Sequence, residues 1–115
     1  MPGPAVTRAG LVALAAALLA ACGESEPRLT EATLEDLARF PDTYQGRRVA
    51  ATGTVRMHPS PEHYWIEDDA LHRVEVLPPE VVSSRVGEQV RVEGRFRYAP
   101  DRGRAIEEAT VTGGD

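Results

Sequence analysis

The segment His58-Pro-Ser-Pro-Glu-His63-Tyr64-Trp65 sets two imidazoles, a phenol and an indole almost side by side. Farther along, Pro100-Asp-Arg102-Gly-Arg104 places two guanidinium groups around a glycine. Indole and phenol rings offer stacking faces, and arginines grip carboxylates or phosphates, so the combined chemistry is that of an anion or saccharide binder. Tyr64 and Trp65 are neighbours, so in a strand they point to opposite faces, one buried and one free. A metal reading would draw on Met57, His58, Glu62, His63 and His72, since copper(I) accepts Met and His, and zinc accepts His and carboxylate. No two of these histidines stand at i, i+4 or another tight ligand spacing, and no metal is expected. Catalysis lacks its parts as well: there is no glycine-flanked serine elbow and no His-Glu-x-x-His. The pairs Asp68-Asp69 and Glu107-Glu108 are adjacent, so in a strand their carboxylates diverge and in a turn they are solvated. Acid–base work needs two carboxylates converging on one substrate. The expectation is a non-catalytic binding site with no cofactor, built from His58, His63, Tyr64, Trp65, Arg102 and Arg104.

Length and charge narrow the partners. A chain of 115 residues holds one domain and no second core. Its net charge is -5, and all 13 basic residues are arginine. Bulk acidity argues against nucleic acid, whose binding needs clustered positive charge.

The remaining reactive side chain is Cys22, the only cysteine. Residues 11–21, LVALAAALLAA, form an unbroken apolar run behind Arg8. A bilayer span needs about 20 such residues, so this run has the length of a secretory h-region instead. Leu19-Ala20-Ala21-Cys22 resembles the lipobox of bacterial lipoproteins. That resemblance implies cleavage before Cys22, a diacylglycerol on its thiol and acylation of the new amine. Two or three acyl chains anchor stably where one does not, and lipidation explains an odd thiol in an exported chain. Removing residues 1–21 leaves 12 arginines against 18 acids, a charge of -6. Residue 23 is Gly rather than Asp. The lipoprotein sorting rule then implies the periplasmic face of the outer membrane in a diderm host, or the outer face of the cytoplasmic membrane in a monoderm one.

These groups need a scaffold. Residues 22–30 read as lipidated cysteine and tether, and 31–115 as the domain. Thr33 followed by Leu34-Glu35-Asp36 reads as a helix start, with Leu34, Leu37 and Ala38 on one stripe and Pro41 ending it. A turn over 40–46 releases the chain into strands. From Arg48 the period is two: Val49, Ala51, Gly53, Val55 and Met57 face inward, and Arg48, Ala50, Thr52, Thr54 and Arg56 outward. After a proline-bounded loop over 58–62, second and third strands follow at 64–67 and 72–77. Glu80–Arg85 holds a helical turn. The fourth strand, 89–98, puts Val90, Val92, Gly94, Phe96 and Tyr98 inside and Arg91, Glu93, Arg95 and Arg97 outside. A fifth covers 104–111, leaving 112–115 as a frayed tail. The outward arginines read first as a solvated surface paired with acids such as Glu107.

Five strands, two of them long with a central glycine, need closure to hide their edges. Their order, with a short N-terminal helix and a helical turn between strands three and four, resembles the OB-fold barrel. The pattern L-x-x-L-x-x-x-P-x-x-Y-x-G-R-R-V-x-x-x-G-x-V over residues 34–55 resembles small bacterial OB-fold lipoproteins and periplasmic OB proteins. The resemblance implies a mainly β, five-stranded barrel whose ligands lie across strands two and three, between the 58–63 and 100–104 loops. The haem chaperone of cytochrome c maturation is another membrane-held OB domain. Its His-x-x-x-Tyr motif is absent, because Glu62, Glu67 and Val76 stand four residues after the three histidines. The expected function is a lipid-anchored envelope module that binds an envelope protein or glycan at the barrel mouth. The alternative is a small-ligand or metal-binding domain using the 58–63 loop.

Overall fold

The computed structural model describes residues 28–114. The apolar run, Cys22 and the tether up to Pro27 lie outside the described residues. The elements in chain order are β1 (Leu29–Glu31), α1 (Leu34–Arg39), α2 (Pro41–Tyr44), β2 (Arg48–Pro59), β3 (Glu62–Glu67), β4 (Arg73–Val76), a 3-10 turn (Pro79–Val81), β5 (Gln89–Ala99) and β6 (Gly103–Gly114). Strands β2-β3-β4-β6-β5 form a closed five-stranded barrel, because β2 also pairs with β5. Every neighbour pair in the barrel is antiparallel except β4–β6, which is parallel. This is an OB-like barrel, as the strand pattern implied.

Closure depends on how β2 is shared. Its first part, Arg48 to Thr54, pairs with β5, and its second part, Thr54 to Pro59, pairs with β3. The strand changes partners at Thr54, next to Gly53. A Cβ at Gly53 would stand 2.9 Å from both the Glu67 amide nitrogen and Leu34 Cδ1, so only glycine lets β3 and α1 close in. Gly94 on β5 is tighter still, with Glu107 O and Ile106 Cγ2 each 2.5 Å from where a Cβ would be.

α1 forms for local reasons. Thr33 Oγ1 accepts from the Asp36 amide at 2.9 Å, and Asp36 Oδ2 accepts from the Thr33 amide at 3.1 Å, a complete capping box. Leu34 and Leu37 then enter the core with Val49, Val55, Ile66 and Phe96, all at most 1% exposed. The predicted helical turn at 80–85 is a 3-10 turn at 79–81, which delivers Val82 fully buried into the core.

Several expectations need correction. Leu29 and Thr30, read as tether, pair in parallel with Arg48 and Val49 as part of β1. Ala50, expected to be wet, is fully buried. It lies between Glu31 and Glu93 in register, and Arg91 bonds both of those carboxylates. The loop at 58–62 shrinks to a Ser60-Pro61 turn, because Pro59 and Glu62 still pair. The tail does not fray before Gly114: Gly113 and Gly114 pair with Arg91 and Val90. Glu107 and Glu108 do not diverge. Glu108 takes φ 54° at an irregularity of β6, and both carboxylates reach arginines of β5, Glu107 with Arg97 at 3.1 Å and Glu108 with Arg95 at 3.9 Å.

Candidate functional site

Trp65 and Tyr64 separate as strand geometry requires. Tyr64 is the buried one, at 6% exposure, packed with the core, and its hydroxyl donates to Glu62 Oε2 at 2.6 Å. That hydrogen bond, followed by burial and the Glu62 charge, raises the phenol above its ordinary pKa. Trp65 lies half-buried on the outer face of β3, in line with His63 and Glu67.

The indole is fixed from several directions. Its Nε1 donates to Glu67 Oε1 at 3.0 Å, the Arg73 guanidinium lies over the ring at 4.9 Å, and the His63 ring stands 5.1 Å away. Glu67 is the hub of this arrangement. Its side chain is only 10% exposed, and it also meets Arg73 at 3.2 Å and Arg56 at 3.7 Å. A largely desolvated carboxylate with one N–H donor and two guanidinium counter-charges holds both the ring and the cation that covers it.

The β3–β4 turn sets the register that brings Arg73 there. Asp68 Oδ1 accepts from the amides of Ala70 and His72 at 3.0 and 2.9 Å, and Oδ2 meets His72 Nδ1 at 2.8 Å. Glu67 then faces Arg73, and Trp65 faces Glu75. Desolvation pushes the Asp68 carboxyl upward, but the His72 side-chain and backbone hydrogen bonds, its charge and the Ala70 amide outweigh that, leaving the group below its ordinary pKa.

The opposite wall comes from the β5–β6 loop. Arg102 N donates to Ala99 O at 3.1 Å, and Gly103 takes φ +83°, closing a three-residue connection. Arg104 Nε reaches back to Arg73 O at 3.2 Å. His63, Trp65, Arg73, Glu75, Arg102 and Arg104 therefore line one groove of about 320 Å³. The His58 ring stacks on His63 at 5.7 Å, beside the groove. His58 Nδ1 accepts from the Ser60 amide, whereas His63 Nδ1 donates to Pro61 O.

Of the six residues singled out from sequence, four line the groove, His58 flanks it and Tyr64 points away into the core. Arg73, Glu75 and Glu67 were missed. The signal that could have found them was the five-residue connection after Glu67, which pairs β3 with β4 and sets Arg73 diagonally from Trp65. Among the described residues, no group of three His, Cys, Asp or Glu side chains is placed to hold a metal. No described helix is long and apolar enough to cross a membrane. No protein-family model matches the chain, and no curated protein is detectably similar to it in sequence.

Proposed function

We propose that this chain is a lipid-anchored binding module of the cell envelope that captures an envelope protein or glycan in the Trp65 groove, without covalent chemistry. The observation that carries the reading is the convergence of two segments distant in sequence, His63–Trp65 and Arg102–Arg104, on one groove. Its aromatic ring and its cation over that ring are already held by Glu67, so little ordering is left for the ligand to impose. The anchor is argued from Leu19-Ala20-Ala21-Cys22. β1 begins seven residues after Cys22, a reach of at most about 25 Å, whereas a domain of this size is about 30 Å across. The tether is too short for the barrel to roam far from the surface that holds it. A second reading, a small ligand, is favoured by the groove volume, which lies at the low end of small-molecule pockets.

Photo-crosslinking in intact cells separates these readings. A probe replacing Ser60, at the turn beside His58 and His63, gives a discrete protein adduct if the partner is an envelope protein. A probe at Glu108, on the arginine-paired outer face of β6, gives none. A glycan adduct at Ser60 identifies the other polymer class, and no adduct at either position shifts the assignment to a small ligand. Replacing Cys22 by Ser should abolish fatty-acid labelling and release the protein from membranes; retained labelling would refute the anchor.

A further inference from the structure

The barrel has a seam that is only partly closed. β4 and β6 pair at two registers, Glu75↔Ala105 and Val76↔Ile106. Continuing that parallel register would set Arg73 and Val74 opposite Gly103 and Arg104, yet those residues are not paired. The Arg104 side chain bridges the opening instead, donating to Arg73 O. The Trp65 groove lies at this opening. A second cavity of about 270 Å³ adjoins it, and the two share Glu75, Arg102 and Gly103. Together they form one trough with two chemistries. In the first compartment Arg73 is paired with Glu67, and Arg102 and Arg104 stand against Glu75 alone, a local excess of positive charge in an acidic protein. The second adds the apolar surfaces of Leu77, Tyr98, Ala99 and Ala105, bordered by Gln45 and by the Arg97–Glu107 ion pair.

We infer that the trough takes an extended acidic peptide segment, with carboxylates on Arg102 and Arg104, apolar side chains against Leu77 and Ala105, and its backbone along the open β4–β6 seam. This rests on the binding-module reading and names the class of its partner. Three observations favour a peptide over an acidic glycan. Past the two paired registers the β4 and β6 edges are not paired with each other, and apart from the Arg73 carbonyl, which Arg104 takes, such edges suit an extended chain better than a sugar. The indole face that a sugar would stack on is already occupied by Arg73. The second compartment suits aliphatic side chains, and an extended peptide sends alternate residues to the same side.

Trp65 is the only tryptophan, so its emission reports on the trough directly. The full chain in detergent would be titrated with a synthetic peptide of alternating Glu and Val, and with its Gln-Val counterpart. Polygalacturonate and vesicles containing an anionic phospholipid serve as non-peptide polyanions. The expected result is a saturable change in Trp65 emission with the Glu-Val peptide alone, weakened about tenfold by Arg102→Ala. Arg102 donates no side-chain hydrogen bond among the described residues, so this variant keeps the fold. Arg39→Ala, on α1 and paired with Glu35, leaves the titration unchanged. Equal response to the Gln-Val peptide overturns the acidic requirement, and tighter binding of polygalacturonate or vesicles overturns the peptide class. No saturable response to any probe overturns the inference altogether, while a Ser60 adduct in cells would still uphold the binding module.

Discussion

Glu67→Gln tests whether one carboxylate organises the groove. The side chain is 10% exposed and meets the Trp65 indole at 3.0 Å, Arg73 at 3.2 Å and Arg56 at 3.7 Å. Both arginines are about half exposed, so their pairing is screened and does not carry the several kcal/mol of a fully buried pair. The indole bond to an ionised acceptor is worth more than a neutral one. Glutamine keeps the shape, offers one neutral acceptor and turns an amide N–H toward a guanidinium. The net loss should be about 1–2 kcal/mol. Urea unfolding followed by Trp65 emission measures it, with circular dichroism as the second probe of the same transition. The native emission should also shift, because the indole loses its acceptor and Arg73 is freed from over the ring. Arg56→Gln, which removes only the longest contact, should cost less than about 0.5 kcal/mol and leave the emission in place. A Glu67→Gln protein with unchanged emission and a loss below about 0.5 kcal/mol would falsify the hub assignment.

Three further outcomes follow from the geometry. Gly94→Ala puts a methyl 2.5 Å from Glu107 O and Ile106 Cγ2, so it should destabilise the barrel by about 3 kcal/mol in denaturant unfolding, whereas the same change at Gly113, with open space to 3.7 Å, should be far milder. Thr33→Ala removes the α1 cap and should cost about 1 kcal/mol by thermal or urea unfolding; no loss would show that the Leu34 and Leu37 packing alone holds the helix. Asp68 has a folded pKa below its unfolded value, so its contribution is fully present above about pH 4 and fades as pH falls through the folded pKa. Asp68→Asn should therefore lower stability at neutral pH and converge with the parent in acid; a difference that persists unchanged at acid pH would refute the role given to the ionised Asp68 carboxylate.

How far these features could be read from the chain depends on the range of the interactions that make them. Val90, Val92, Gly94 and Phe96 are buried as the period-two pattern indicated, because facing in or out is decided residue by residue along one strand. The Thr33 cap was legible for the same reason: both partners lie within one turn. β1 was not, since three residues carry no period, and Leu29-Thr30-Glu31 becomes a strand only because β2 offers it an edge. Ala50 was misread because the residues that flank it in register, Glu31 and Glu93, come from other strands, and Arg91, 41 positions away, joins their carboxylates.

The groove shows the same division more sharply. Residue type alone marked His63, Trp65, Arg102 and Arg104, since ring and guanidinium chemistry is visible in any sequence. What makes them a site is register: Glu67 opposite Arg73, Trp65 opposite Glu75, and Arg104 across an unpaired seam from Arg73. Registers follow from turns, and here the deciding turn is held by Asp68 accepting from Ala70 and His72. Asp68 is thus tied to the Trp65 groove through strand pairing, although it touches none of the ring, Arg102 or Arg104. A slip of one residue at that turn would send Arg73 to the core face and leave Glu67 a largely desolvated carboxylate without it. The register is therefore doubly selected, by the core behind Val74 and Val76 and by the charge of Glu67 in front.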